Sequence, residues 1–430
     1  MSTKTMPRSA WLVAAPPLAL AGLVATTGVD LAYWDQWALV PHLEALADGR
    51  LRLADLWTQH NEHRLLVPQL VMVALAWLTD WNVHAELAMN LVLALGLLGV
   101  LTILVRKTIE TPPTWLLPLL SLLLFSPGQW ENWAWGWQIQ IFANVLAVAA
   151  TLTLLVDADR PTRFAAALVC AVIATFSFAN GLLIWGLGLP LVARDGRARW
   201  PRTILWILAA LAVAALYFHG LGVTDRPSFF DDGVPRTLKL FGGYLAIYLG
   251  APLLGFHGHV AMYGGFLLLV AVAVFGLVET RREGLGWLLG PRLPWLLLAG
   301  YAVASALLTA YGRLYLGLGQ ALTSRYVTLS TCLWIGVAGL LALAGQRPWI
   351  RRLALAALVP LAIQWGVGAE RLHTIGEERR AIRAAIVDGR PVDLGTIYPD
   401  PEVVEERLAT LRRLGLGPFR DAPYSDATPP

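Results

Sequence analysis

Apolar residues run along this chain in long blocks with almost no charge inside them, all the way round any helix they would form. A soluble helix shows polar residues on one face, whereas a block of roughly 17–25 apolar residues matches the hydrocarbon thickness of a bilayer. Blocks near 9–28, 84–105, 114–127, 140–156, 164–179, 183–193 (short), 203–218, 260–279, 293–311, 325–345 and 353–368 predict eleven crossing helices. Two further stretches, 65–79 with Pro68 and Gln69, and 240–254 with Gly242, Gly243, Gly250 and Pro252, read as interfacial or partly inserted helices. A crossing by either one alone would move Arg281/Arg282 or Arg106/Lys107 to the wrong side; if both cross, the count is thirteen.

The polar positions between the blocks divide into two kinds. Segments 1–8, 106–113, 157–163, 194–202, 280–292 and 346–352 hold 16 Lys and Arg in 52 residues. The alternate segments 29–83, 127–139, 179–182, 219–259 and 311–325 hold 8 in 128. Basic residues stay cytoplasmic, so the N-terminus is expected inside and the C-terminus outside a plasma membrane. Within the first outer loop, 41–48 and 51–57 predict short amphipathic helices separated by the Asp48–Gly49 turn. The tail predicts two soluble helices, 370–388 and 401–414, and disorder over 421–430. The expected architecture is all-α: a transmembrane domain over 1–368 and a helical extracytoplasmic tail over 369–430.

Composition sharpens this picture. The 430 residues are 57% hydrophobic and 14% charged, against about 25% charged in a soluble domain. A net charge of +4 reflects arginine placement and gives no reason to expect nucleic acid. Cys170 and Cys332 both sit inside apolar runs and read as small core residues without a disulfide. Lys4 and Arg8 precede a run continuing to Val29 without a clean cleavage site, which favours an uncleaved first span.

Candidate chemistry gathers on the outer side, where all eight histidines fall and loop 29–83 carries a net charge of −4. Tyr33-Trp34-Asp35-Gln36-Trp37 sets a carboxylate between aromatic rings at the interface, where partial desolvation suits a general base. Gln59-His60-Asn61-Glu62-His63-Arg64 is the densest polar run. His60, His63 and Glu62 could ligate a divalent cation, and Arg64 could clamp a phosphate. Gln129-Trp130-Glu131-Asn132-Trp133-Ala134-Trp135-Gly136-Trp137-Gln138 alternates indole faces with polar edges, as sugar recognition requires. Arg313 and Ser324-Arg325-Tyr326 put two arginines at span entrances, where a lipid-linked phosphate would justify them. Each has a plainer alternative: a solvated loop, a helix cap, an interfacial aromatic girdle, or headgroup anchoring.

Taken in this order, the pieces resemble the GT-C superfamily of membrane glycosyltransferases, which includes protein mannosyltransferases and aminoarabinose transferases. The likeness lies in a first span, a long outer loop with interfacial helices and an acidic motif, and many later spans. It is most similar to a bacterial branch with Asp-Gln-Trp, His-Asn-Glu-His-Arg, Gln-x-Glu-Asn and Ser-Arg-Tyr motifs. Asp35 is followed by Gln36, not by a second acid, and no His-Pro-Pro signature is present. The resemblance implies inverting transfer of a sugar from a polyprenyl phosphate to an extracytoplasmic glycan or lipid. Asp35 would be the base, with Glu62 in reserve, and Arg64, Arg313 and Arg325 would hold phosphate. His60, Asn61, His63, Gln129, Glu131, Asn132, Gln138 and Tyr326 would contact substrate. The rival readings are a lipid or glycan transporter, disfavoured by the near absence of mid-span charge, and a non-catalytic scaffold of envelope assembly.

Overall fold

The computed structural model describes residues 8–421 except 195, 197, 223–228, 230–232 and 346. Arg197, expected on the cytoplasmic side, and 422–430, within the expected disordered end, therefore lie outside the described residues. The protein is an all-α, multi-pass membrane protein. Nine helices among the described residues are long and apolar enough to cross a membrane.

The chain opens with α1 (Arg8–Thr27), which carries Pro16 and Pro17 inside it. The first outer loop then forms α2 (Val40–Ala47), a 3-10 turn at Leu53–Trp57, a two-stranded hairpin and α3 (Leu66–Thr79). The strands are β1 (Gln59–His60) and β2 (His63–Arg64), antiparallel, with His60 opposite His63. Next come α4 (Val83–Thr108), α5 (Leu116–Leu124), the short α6 (Trp130–Ala134), α7 (Ile139–Leu155), α8 (Pro161–Ser177), α9 (Leu183–Val192) and α10 (Arg199–Phe218). The second half comprises α11 (Val234–Leu254), α12 (Gly258–Glu283), α13 (Leu293–Arg313), α14 (Val327–Leu343), α15 (Pro348–Ala356), α16 (Leu358–Val387) and α17 (Pro401–Leu414). Prolines in the first turn of α8, α13, α15 and α17 mark starts where no N–H partner is needed.

Contacts sort the connecting segments into two ends. At one end Lys107 pairs with Asp157, Arg202 with Asp159 at 2.6 Å, and Arg347 with Glu279 at 2.8 Å. There too the Trp295 indole donates to Thr108 at 2.9 Å. These are the segments rich in basic residues. At the other end Glu62 meets Arg313 and Glu131 meets Arg325.

Three elements depart from the sequence expectation. The expected span at 353–368 begins in the end of α15, breaks at Ala357 and runs on without interruption into the expected soluble helix at 370–388 as one helix, α16. It passes close to Pro127 at Gly368 and to Thr27 at Gly376, where any Cβ would overlap backbone, so only glycine permits the approach. The stretch at 240–254 belongs to a 21-residue helix, α11, long enough to cross. Yet Gly243 lies near Leu318, the Tyr248 ring stacks on Tyr326 at 5.6 Å, and Gly255 touches Gln364, which in turn touches Gly128. Both halves of α11 therefore meet residues of the Glu62–Arg313 end, and the helix lies across the bundle there. The block at 114–127 is helical only over nine residues, because Pro127 and Gly128 break it into a turn.

Two cores result. One fills the helical bundle, from Leu20 and Leu97 through Phe142, Trp206 and Trp295 to Leu340. The second joins Trp37, Leu43, Leu56, Met72 and Trp81 of the first loop to Trp137, Ile386, Ile397, Val404, Leu411 and Phe419. The tail thus packs on the first loop as one unit and is not a separate appendage. Arg420 pairs with the buried Asp30, Arg413 with Glu44, and the Gly417 N–H donates to the Asp80 carbonyl at 2.9 Å.

Candidate functional site

Asp35 sits in a 3-10 turn, Trp34–Leu39, immediately after α1. The preceding Trp34 holds φ at +47°, a region that a bulky L-residue enters only when its surroundings impose it. Two contacts impose it: the Trp34 N–H donates to Ile397 of the tail at 2.8 Å, and the next residue but one, Gln36, is anchored below. The Gln36 amide donates to the carboxylate of Glu86, which is fully buried and also accepts from the Trp81 indole at 2.9 Å. Gly136 lies directly against that carboxylate, where a Cβ would overlap Glu86 Oε2.

The hairpin 59–64 faces this turn. Its reversal at Asn61-Glu62 uses φ +50° at Asn61, a residue that tolerates the left-handed region. His60 Nε2 lies 3.4 Å from Asp35 Oδ1, with its ring 5.0 Å from that of Trp137. His63 Nε2 lies 3.9 Å from Glu62 Oε2, with its ring 4.4 Å from that of Phe178. Burial pushes the His63 imidazole down to about 4; Glu62 and Asp35 oppose that shift, while Arg313 and His60 reinforce it. His63 is therefore neutral at physiological pH.

Two arginines complete the cluster. Arg313, at the end of α13, donates to Glu62 Oε2 at 2.9 Å. Arg325 donates from Nη1 to Glu131 Oε1 at 3.2 Å, and its backbone N–H donates to Glu131 Oε2 at 3.0 Å. The Ser324 hydroxyl donates to the same carboxylate oxygen at 2.9 Å. The Arg325 guanidinium lies 5.5 Å from the ring centre of Tyr326, and Asp35 is within Coulombic reach of it. Asp35, Glu62, His63, Arg313 and Arg325 thus meet at one end of the bundle despite coming from four separate stretches of chain. Of the three carboxylates, Asp35 alone has no arginine within salt-bridge distance among the described residues.

Several expected site residues do other work. Arg64 was expected to clamp phosphate, but it is 4% exposed and its guanidinium is committed to three backbone carbonyls. Nε donates to Tyr217 at 2.7 Å, Nη1 to Trp57 at 2.8 Å, and Nη2 to His219. It fastens the hairpin to the end of α10. The Gln129 and Asn132 side chains, expected on substrate, instead tie α6 to α14: both bond Thr328, Asn132 also bonds the Arg325 carbonyl at 3.1 Å, and Gln129 bonds Leu124. Asn61 is exposed at the turn, with its carbonyl accepting from Gln59 at 2.6 Å. Gln138 is buried, with neither end of its amide bonded. Of the three proposed cation ligands, His63 lies by Glu62 while His60 faces Asp35 instead. Among the described residues no group of three or more His, Cys, Asp or Glu side chains is placed to hold a metal ion.

Sequence reasoning missed Glu86 and Arg379. Glu86 is a lone carboxylate at the head of an apolar run, and that isolation was the available signal. Arg379 stands 3.9 Å from the ring centre of Tyr33 and donates to the Ala134 carbonyl; nothing local in the tail distinguishes it from its neighbouring arginines. No protein-family profile matches this chain, and no curated protein or solved structure matches it significantly.

Proposed function

We propose that the protein is a membrane glycosyltransferase of GT-C type that moves a sugar from a polyprenyl phosphate to an extracytoplasmic glycan or lipid. On this reading the chain crosses eleven times, through the segments that contain α1, α4, α5, α7, α8, α9, α10, α12, α13, α14, and α15 continued by the start of α16. The short α3 and the transverse α11 stay on the outer side. The basic-residue asymmetry supports an outward-facing site end and a cytoplasmic N-terminus.

The observation that carries the reading is the arrangement of Asp35. Among the described residues it is a carboxylate without an arginine partner, set beside two arginines that already hold carboxylates. In an inverting transfer the acceptor hydroxyl gives its proton to Asp35 as its oxygen bonds the anomeric carbon. The bond from that carbon to the phosphate oxygen breaks, and the phosphate departs with the electron pair. Arg313 and Arg325 stand where that developing charge can be met. Glu62 and Glu131 hold both guanidinium groups in position before substrate arrives. Glu62 remains the reserve base, with its carboxylate engaged by Arg313 at 2.9 Å.

The test is transfer of labelled sugar from polyprenyl-phosphate carriers to envelope extract by purified protein. Asp35→Asn preserves shape but removes the basic oxygen. It is expected to fold normally and lose about 10²–10⁴ of turnover. Full activity in Asp35→Asn would move the base to Glu62. No transfer by wild type from a complete donor and acceptor pool would favour a transporter or an assembly scaffold.

A further inference from the structure

Several charged side chains at the site end are paired: Glu62 with Arg313, Glu131 with Arg325, Asp30 with Arg420. Arg379 of α16 is an exception. It is 7% exposed, and among the described residues no carboxylate lies within salt-bridge distance of it; Arg380 beside it takes Glu377 at 2.6 Å. Arg379 Nη1 donates to the Ala134 carbonyl, and the guanidinium lies 3.9 Å from the ring centre of Tyr33. One carbonyl and one ring face offset only part of the cost of burying a cation, and a guanidinium has five N–H donors to satisfy.

Arg379 lines a cavity of about 90 Å³ together with Tyr33, Trp130, Ile382, Thr396 and Glu378. A void of about 150 Å³ accepts benzene, so this one takes a group smaller than a six-membered ring, such as a carboxylate or a phosphate. Its height follows from α16. That helix packs through Gly368 on Pro127, at the site end of α5. The α16 wall of the cavity starts at Ile375, about 10 Å further along a helix that rises 1.5 Å per residue. Exposed Glu378 and Thr396 form a water-facing rim. The other walls are tied to the proposed reaction site. Tyr33 is two residues from Asp35, the Ile397 carbonyl accepts from the Trp34 N–H, and Trp130 precedes Glu131, the partner of Arg325.

We propose that this cavity is the acceptor subsite and that it takes an anionic group, a carboxylate or a phosphate, carried by an acidic glycan. Arg379 pairs with that group through the N–H donors that the Ala134 carbonyl leaves free. The nearby carboxylates do not compete. Glu131 is held by Arg325, Asp35 faces His60 and is not part of the cavity wall, and Glu378 is exposed, where water and salt screen it. The buried cation therefore sets the sign of the cavity. Arg313 and Arg325 meet the polyprenyl phosphate elsewhere, so the anion read here belongs to the acceptor. Assignment to the acceptor rests on the transferase reading; anion binding at Arg379 does not.

Ligand-detected NMR on the full-length protein in uncharged detergent tests this without requiring transfer. The probes share one ring: glucuronic acid, glucose 6-phosphate and glucose. Saturation transfer is expected to one or both charged sugars and not to glucose. Arg379→Gln should weaken that binding about tenfold or more, the worth of a hydrogen bond to a charged group. Glu378→Gln changes only an exposed side chain, so it reads the cavity even if Arg379→Gln fails to fold. It removes a like charge from the rim and should tighten binding about two- to fivefold. Phosphatidylglycerol mixed into the micelle should leave the sugar signal unchanged; displacement by it would make the cavity a lipid-headgroup site and overturn the acceptor assignment. Binding of neither charged sugar, equal binding of glucose, or binding that Glu378→Gln leaves unchanged or weakens would overturn the anion subsite. If charged sugars bind as described but no donor yields transfer, the anion site stands and the transferase reading falls.

Discussion

Arg64 and Arg313 show how far the role of an arginine depends on what surrounds it. Both lie at the site end, yet Arg64 is saturated by carbonyls of Trp57, Tyr217 and His219, while Arg313 reaches a carboxylate. Lysine cannot reproduce a planar fork of donors. Arg64→Lys should therefore loosen the hairpin, each carbonyl left unpaired costing about 1–3 kcal/mol. The check is thermal unfolding in detergent: a large drop marks Arg64 as structural, whereas unchanged melting with weakened phosphate binding would restore the clamp role. His63 makes a second prediction. Its imidazole titrates near 4 when folded and near 6.5 when unfolded. Between those values the unfolded chain binds more protons, so stability is full above pH about 6.5 and falls as pH drops toward 4. The loss is on the order of 3 kcal/mol. His63→Gln should flatten that part of the melting profile, and a variant profile as steep as the wild type would remove His63 as the cause.

At the scale of elements, the Asp35 turn is positioned by glycine and a buried carboxylate more than by its own sequence. The Trp34–Leu39 turn, α4 and the Gly136–Gln138 turn meet around Glu86, and Gly136 leaves no room for a methyl group there. Gly136→Ala should force Glu86 away from Gln36 and cost about 1–3 kcal/mol as overpacking. Activity should fall further than that loss of stability explains, because Asp35 immediately precedes Gln36 and moves with it. If Gly136→Ala retains full transfer at a temperature where it is folded, Glu86 does not govern the placement of Asp35. The hairpin obeys the same logic. Two residues per strand cannot hold themselves together, and it persists because Gln59 bonds Gly222 and Arg64 bonds the end of α10.

Across the whole molecule, charge is segregated by end. Lys107, Asp157, Asp159, Arg202, Glu279 and Arg347 pair among themselves at one end, and the Asp35 cluster occupies the other. Cysteine substitutions at Arg163 and Asp393, both exposed, report which end faces outward. An impermeant thiol reagent applied to intact cells should label the cysteine at 393 and not the one at 163, on a background lacking Cys170 and Cys332. Labelling at 163 would invert the topology and place the site in the cytoplasm, where polyprenyl-phosphate donors of this type are not presented to an extracytoplasmic acceptor.

What the chain determined locally was the helical bundle. Twenty apolar residues in a bilayer have one way to satisfy their backbone, so helices at α1, α4, α10, α12 and α13 were legible from hydropathy alone. The pair Asp400–Pro401 announced α17 for an equally local reason, since Asp400 accepts from the Glu402 N–H at 3.2 Å. What only the tertiary structure decided was partnership. Asp35, Glu62, Arg313 and Arg325 are polar residues at a membrane surface by sequence, and so is Arg64. Whether each faces a carboxylate, a carbonyl or a substrate depends on residues as much as 251 positions away. The direction of α11 was likewise undecided by its length, because glycines at 250 and 265 let it cross α12 at close range. Local pattern sets which segments become helices; long-range packing sets which side chains are left free to act.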